Sequence, residues 1–276
     1  MPTGLPHRVA IVGTGPIGSA LAGHLILAGN KVIIGARRPD TFTPPDYQRE
    51  DIDYPVRTIE EAIDGAEVAI LAIPNAAVAS FADRYRDRLA GAVIIDPSNP
   101  FLWHDGGLMT IKDLGGKTSG TVTAELFPKS SVARAFSHQL AETLWLRGRR
   151  EPGRWGIGYA ADDNDAAWIT ADIITQTGFV PVRIGALAHS APIDPGGVLF
   201  PGLLGLFSPH GMQTTLDNGP FTGELPCRQL SVDPTRCLKL PEARVSRATW
   251  EFACEWPFIE GRPHTMWAEQ SQEAGE

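Results

Sequence analysis

Six residues constrain this chain more than any others. Gly13-Thr14-Gly15-Pro16-Ile17-Gly18 directly follows an apolar run at 8–12 and directly precedes a helical pattern over 17–28. A second apolar run, 31–36, begins 18 residues after Gly13. The first glycine permits a tight strand-to-helix turn, the second lets a pyrophosphate approach the backbone, and the third lets the helix pack closely on the strand. A diphosphate would then rest on the N–H groups and positive dipole end of the helix opening near Ile17. GxGxxG alone is weak; strand before, helix after and second strand beyond give it weight. A glycine turn without a ligand is the alternative.

The rest of the first hundred residues repeats the alternation. A short strand near Val56 leads to a helix over 59–64, followed by a strand over 68–73, a helix over 76–89 and a strand over 92–96. Runs such as VAILAI and AVII are apolar at every position, as strands buried on both faces of a parallel sheet require. Asn30 and Gly65 punctuate helix exits. Residues 101–130 read as a glycine-rich connection ending in a short helix at 121–127, and 131–136 as the last strand of the sheet. Segments 158–161, 164–177 and 180–184 form one further strand–helix–strand unit. Four polar residues, Asp162 to Asp165, crowd the start of its helix, where capping and dipole chemistry explain them better than a metal loop.

The expected architecture is therefore α/β, a Rossmann-type doubly wound parallel sheet with a smaller, partly irregular C-terminal region. The division is a dinucleotide-binding domain over 1–150 and a substrate or dimerisation region over 151–276. From Pro195 to Pro226, twelve of 32 residues are Gly or Pro, which breaks regular structure. The tail with Trp250, Trp256 and Trp267 suits packing over the protein or over a partner subunit in a homodimer.

The end of the second strand distinguishes between dinucleotides. An NAD site places Asp or Glu there for the ribose 2′-hydroxyl, whereas this chain reads Gly35-Ala36-Arg37-Arg38, with no acid until Asp40. Two guanidiniums suit a 2′-phosphate through bidentate bonds and stacking, and a carboxylate would repel it. The bland alternative is a solvated basic turn. The chain carries 24 Lys and Arg against 32 Asp and Glu, a net charge of −8. The arginine pair is thus a local feature. An acidic chain has no field to hold a nucleic-acid backbone. The expected cofactor is NADP.

Other strand ends share the same sheet edge: Ile73-Pro74-Asn75, Asp96-Pro97-Ser98-Asn99-Pro100 and Ala135-Phe136-Ser137-His138. Ligands of open α/β sheets bind outside these carboxyl ends, so the loops are expected to line the ribose–nicotinamide side, with Asn99 among the cofactor contacts. Asn75, Ser98 and Asn99 serve equally well as caps of the following turns. Ser137 and His138 are the candidate catalytic pair, and a satisfied turn histidine is the equal alternative. No Tyr-x-x-x-Lys pair exists: the residues four beyond Tyr47, Tyr54, Tyr85 and Tyr159 are Asp51, Thr58, Leu89 and Asp163. No G-x-S-x-G or H-E-x-x-H occurs either. The three cysteines, Cys227, Cys237 and Cys254, match no zinc spacing and are odd in number. With no apolar run near the roughly 20 residues of a membrane span and no signal pattern at the N-terminus, the expectation is a cytoplasmic protein with no membrane partner.

VAIVGTGPIGSALAGHLILAGNKVIIGARR, AEVAILAIP, VIIDPSNP and VARAFSH together resemble the F420-dependent NADP oxidoreductase family. That family takes in reductases exchanging hydride between NADPH and the deazaflavin F420, and the oxidoreductase domain of the STEAP metalloreductases. The resemblance runs from residue 8 to about 190, through GYAADDNDAAWITADIITQTGFVPVRIGALAHS. It implies that Thr14, Gly15, Pro16 and Ile17 hold the pyrophosphate within the Gly13–Gly18 loop, and that Arg37 and Arg38 hold the 2′-phosphate. It also implies that Ile73, Pro74 and Ala77 face the nicotinamide ribose. Family members often carry Asn-Thr or His-Thr where this chain has Ser137-His138, so the acceptor pocket departs from the pattern.

Three functions follow. The first is an NADPH-dependent oxidoreductase with a deazaflavin- or flavin-like acceptor such as F420, which takes its proton from solvent and needs no protein acid. Arg147, Arg149, Arg150 and Arg154 then hold an acidic cofactor tail or form a solvated loop. The second is an NADPH-dependent reductase of a small carbonyl or imine, with His138, His189 or Tyr159 as proton donor. The third is a non-catalytic NADP(H) sensor.

Overall fold

The computed structural model describes residues 6–45, 48, 52–103, 109–148, 156–195, 197 and 200. β1 (Arg8–Val12) runs into the glycine turn and α1 (Pro16–Leu27), then β2 (Lys31–Ala36). β3 (Val56–Thr58), α2 (Ile59–Ile63), β4 (Val68–Ile70), α3 (Asn75–Tyr85) and β5 (Val93–Asp96) follow. The chain continues through β6 (Phe101–Trp103), β7 (Met109–Ile111), α4 (Ser119–Leu126), β8 (Ser131–Ala135) and α5 (Ala141–Arg147). It ends in β9 (Gly156–Ala161), α6 (Asn164–Gln176) and β10 (Val180–Gly185), followed by two short 3-10 turns at Leu187–His189 and Ala191–Ile193.

Eight strands form one sheet in the order β10-β9-β8-β5-β4-β1-β2-β3. The register from β8 to β3 is parallel throughout. The doubly wound architecture follows from residue pattern. In β1, Val9 and Ile11 join the apolar layer of α1, α5 and α6, while Ala10 and Val12 face the opposite layer of α2 and α3. Both faces are covered, so every β1 position after Arg8 is buried. Helix ends are capped by local chemistry. Thr58 and Glu61 form a reciprocal capping box on α2. Asp163 Oδ1 accepts the Ala166 N–H at 2.8 Å on α6, the role expected for that acidic cluster. The α1 exit turns at Gly29, in the left-handed region at φ 89°.

Four expectations are corrected. Residues 131–136 do not close the sheet: β9 adds to β8 antiparallel and β10 adds to β9 parallel, so the sheet continues past residue 150. The fourth strand stops at Ile70, because Ala72 N–H bonds back to Ile70 O at 3.0 Å and the chain turns over the glycine loop. The third helix ends at Tyr85, short of 89. The connection after residue 100 contains the antiparallel β6–β7 hairpin, and α5, which no pattern announced, packs beside α1. There Trp145 stacks on His24 with ring centroids 4.9 Å apart. Among the described residues no helix is long and apolar enough to cross a membrane. The Pro/Gly-rich stretch beyond Phe200, the tail tryptophans and the three cysteines lie outside the described residues.

Candidate functional site

The carboxyl ends of β1, β2, β4, β5 and β8 share one edge, and the strand order reverses beside β1, where a crevice opens in doubly wound sheets. The glycine loop sits there. Gly13 has φ 115°, and a Cβ on it would stand 2.2 Å from Ala72 O. Gly18 is as tight, its Cβ position lying 2.4 Å from Gly13 O. Gly15 is different: among the described residues a Cβ there would meet nothing within 4 Å. Gly15 is also the α1 N-cap, without a side-chain capping bond, and the first turn of α1 holds no acidic residue. The positive helix end thus carries no cap or first-turn carboxylate of its own and stands beside exposed Thr14, Gly15 and Pro16 and half-buried Ile17. These features fit a pyrophosphate.

At the end of β2, Arg37 and Arg38 are both exposed. Pairing of Val12 with Gly35 places them beside the glycine loop. Arg38 caps a 3-10 turn over Pro39–Thr41, and Thr41 Oγ1 donates to Arg38 O at 2.9 Å, so the turn is held while the guanidiniums stay in solvent. Ile73 is half-buried and Pro74 exposed after β4, and Ala77, half-buried, stands one helical turn on, its N–H bonded to Pro74 O at 2.8 Å.

The end of β5 carries a dense polar network. Asp96 is fully buried: Oδ1 accepts the Ser98 N–H at 2.7 Å and Oδ2 the Thr123 hydroxyl at 2.6 Å. Asn75 Nδ2 donates to Ser98 Oγ at 3.1 Å, tying the start of α3 to this loop. Asn99 Nδ2 donates to Ser137 O at 2.8 Å, joining the ends of β5 and β8. At the centre lies Arg134, fully buried on β8, which sequence reasoning absorbed into an apolar strand. Its Nε donates to Asp194 Oδ1 at 2.8 Å, its Nη1 to Asp96 O and Ser98 O, and its Nη2 to Asn99 Oδ1 at 2.7 Å. The available signal was a charge within VARAF, since a buried arginine requires partners.

Phe136, directly after β8, lies in the left-handed region at φ 62°, the one described non-glycine residue at positive φ. That kink carries Ser137 and His138 inward, and both are fully buried. Ser137 Oγ donates to Ile193 O at 2.8 Å. His138 Nε2 accepts the Gly158 N–H at 3.2 Å, which puts the neutral ring's proton on Nδ1. Burial, aided by the Arg134 guanidinium, pushes the His138 pKa down to about 3. Burial likewise pushes the Tyr159 hydroxyl pKa up, with Arg183 opposing it. His189 is exposed beside Gly185. Arg149, Arg150, Arg154 and the side chain of Arg147 lie outside the described residues.

A glycine turn, an uncapped helix N-terminus and an arginine pair at the carboxyl edge of a doubly wound sheet define a dinucleotide-binding domain. Residues 8–100 match the model of the family described as NADP oxidoreductase, coenzyme F420-dependent. It is 34% identical over 100 residues to the F420-dependent NADP reductase of Methanothermobacter marburgensis, covering 34% of this chain and 45% of that protein. It is 25% identical over 190 residues to metalloreductase STEAP3 of Rattus norvegicus, covering 68% of this chain and 36% of that protein. The chain thus spans less than half the length of these curated relatives. A solved structure of a hypothetical protein from Sinorhizobium meliloti superposes with a TM-score of 0.59 at 30% identity, over 68% of this chain and 89% of that one.

Proposed function

We propose that the protein is an NADPH-dependent oxidoreductase passing hydride between NADP(H) and a deazaflavin- or flavin-like acceptor such as F420. The observation that carries this reading is the open Gly15 cradle set beside two exposed arginines, Arg37 and Arg38, at a strand end with no carboxylate. The nicotinamide ring, when bound, supplies the hydride chemistry. The glycine loop from Gly13 to Gly18 holds the pyrophosphate, and Arg37 with Arg38 holds the 2′-phosphate. Ile73, Pro74, Ala77 and Asn99 orient the ribose and ring and keep water from that face, so positioning is the protein's main contribution.

The candidate acids favour an acceptor that takes its proton from solvent. His138 is neutral, fully buried and engaged with Gly158, and Tyr159 is buried within β9. Ser137 and His138 therefore enter this reading as the wall that shapes the end of β8. Turnover with a panel of F420, FMN, FAD, small ketones and imines tests the proposal. Turnover with the flavin-like acceptors, and not with ketones or imines, supports it; turnover confined to ketones or imines rejects it. The same reading carries a cytoplasmic homodimer in which residues beyond 150 contribute the acceptor side, and sedimentation of the full chain tests the dimer.

A further inference from the structure

We propose that Arg134 is a positioning residue that fixes the amide of Asn99, so that Asn99 presents an N–H donor to the nicotinamide side of bound NADP(H); this inference rests on the NADP(H) reading above. An asparagine amide can flip, exchanging a donor for an acceptor at nearly the same place. Here the choice is made by chemistry. Arginine has no acceptor, so the Asn99 atom 2.7 Å from Arg134 Nη2 must be Oδ1, and Nδ2 must point the other way. One Nδ2 proton goes to Ser137 O at 2.8 Å. The second is what this half-buried side chain can offer a ligand oxygen, such as a ribose hydroxyl or a carboxamide.

Arg134 is itself held from three sides. Asp194, brought back across 60 residues by the turn at Ala191–Ile193, accepts from its Nε. Asp194 Oδ2 is fixed in turn by the Ser119 N–H at 3.0 Å and the Ser190 hydroxyl at 3.2 Å. Nη1 grips the carbonyls of Asp96 and Ser98, the two residues that set the path of the loop carrying Asn99. A lysine ammonium, a single point with no planar fork, cannot reach the carboxylate, both carbonyls and the amide together.

The test uses the full chain with NADPH as probe, reading affinity by fluorescence titration and stability by thermal unfolding with and without NADPH. Asn99→Ala is expected to raise the NADPH Kd about tenfold, the loss of one hydrogen bond to ligand. Arg134→Lys is expected to weaken NADPH in the native background and to add little in the Asn99→Ala background, because it acts through that amide. Asn99→Asp keeps an oxygen for Arg134 but sets a carboxylate oxygen against the Ser137 carbonyl, so its Tm falls while the chain stays folded, and with the donor lost it binds NADPH at least tenfold more weakly. If Arg134→Lys does not fold, Asp194→Asn, which weakens the anchor on Arg134 Nε, takes its place in the same pair of backgrounds. Equal weakening by Arg134→Lys with and without the Asn99 amide, or native NADPH affinity in Asn99→Asp, overturns the proposal. Failure of the native chain to bind NADPH removes the reading of the site itself, which distinguishes the two failures.

Discussion

The backbone of Gly13 lies against the carbonyl of Ala72 so closely that a Cβ on Gly13 would stand 2.2 Å from the Ala72 oxygen. The contact joins the turn after β1 to the turn after β4 and sets the floor of the site. Gly13→Ala therefore meets backbone, which cannot swing aside, and is also strained at φ 115°. The variant is expected to lose about 2 kcal/mol or more of stability, read by denaturant unfolding without ligand.

Gly15→Ala is expected to do the opposite. Among the described residues no atom lies within 4 Å of its Cβ position, and its φ of −72° suits any residue. Stability in the absence of ligand should change by no more than about 0.5 kcal/mol. NADPH affinity should fall at least about tenfold, since the new methyl fills the cradle proposed for the pyrophosphate. Titration paired with unfolding separates these effects, and a variant that binds normally would show that the cradle holds nothing.

Arg37→Ser and Arg38→Ser address the choice of dinucleotide. Both arginines are exposed, so neither variant should disturb folding. Each charge-assisted bond to a phosphate is worth about 1.5–3 kcal/mol, so NADPH affinity should drop roughly 10- to 100-fold per residue while NADH affinity stays level. The drop should shrink at high salt. Equal losses for NADPH and NADH would place the arginines elsewhere on the cofactor.

His138 makes a pH prediction with a definite sign. Its pKa is about 3 in the folded chain, lowered first by burial and then by Arg134, against 6.5 ordinarily. Between these values the unfolded chain binds a proton that the folded chain does not. His138 thus makes stability fall as pH drops from about 6.5 toward 3, at up to about 1.4 kcal/mol per pH unit, and has no effect above. His138→Gln should flatten that slope in unfolding measured from pH 4 to 7. No inflection in turnover near neutral pH should trace to His138.

What could be read from residue order alone was what local chemistry dictates. β1 and β2 were legible to the residue because their runs are apolar on both faces, β1 ending at the glycine turn and β2 at Arg37-Arg38. The turn at Gly13–Gly18 and the place of Arg37-Arg38 at the end of β2 were legible because each directly follows an apolar strand. β4 was read too long because apolarity reports burial, while the ladder ends where Ala72 turns over Gly13. The direction of β9 left no local trace, since an antiparallel neighbour is chosen by tertiary packing. Arg134 stood in plain view within VARAF, yet its partners are Asp96, Ser98, Asn99 and Asp194, which only the fold brings together. Ser137 and His138 were placed at the right strand end. Their burial depends on the kink at Phe136, a conformation no residue type there announces.

The most direct test of the account is the rate at which the purified chain consumes reduced nicotinamide in the presence of F420, followed by absorbance, with NADPH and NADH compared side by side. F420 reduction with NADPH is expected to be at least tenfold more efficient than with NADH. F420-independent behaviour with both dinucleotides, or equal use of NADH, would contradict it.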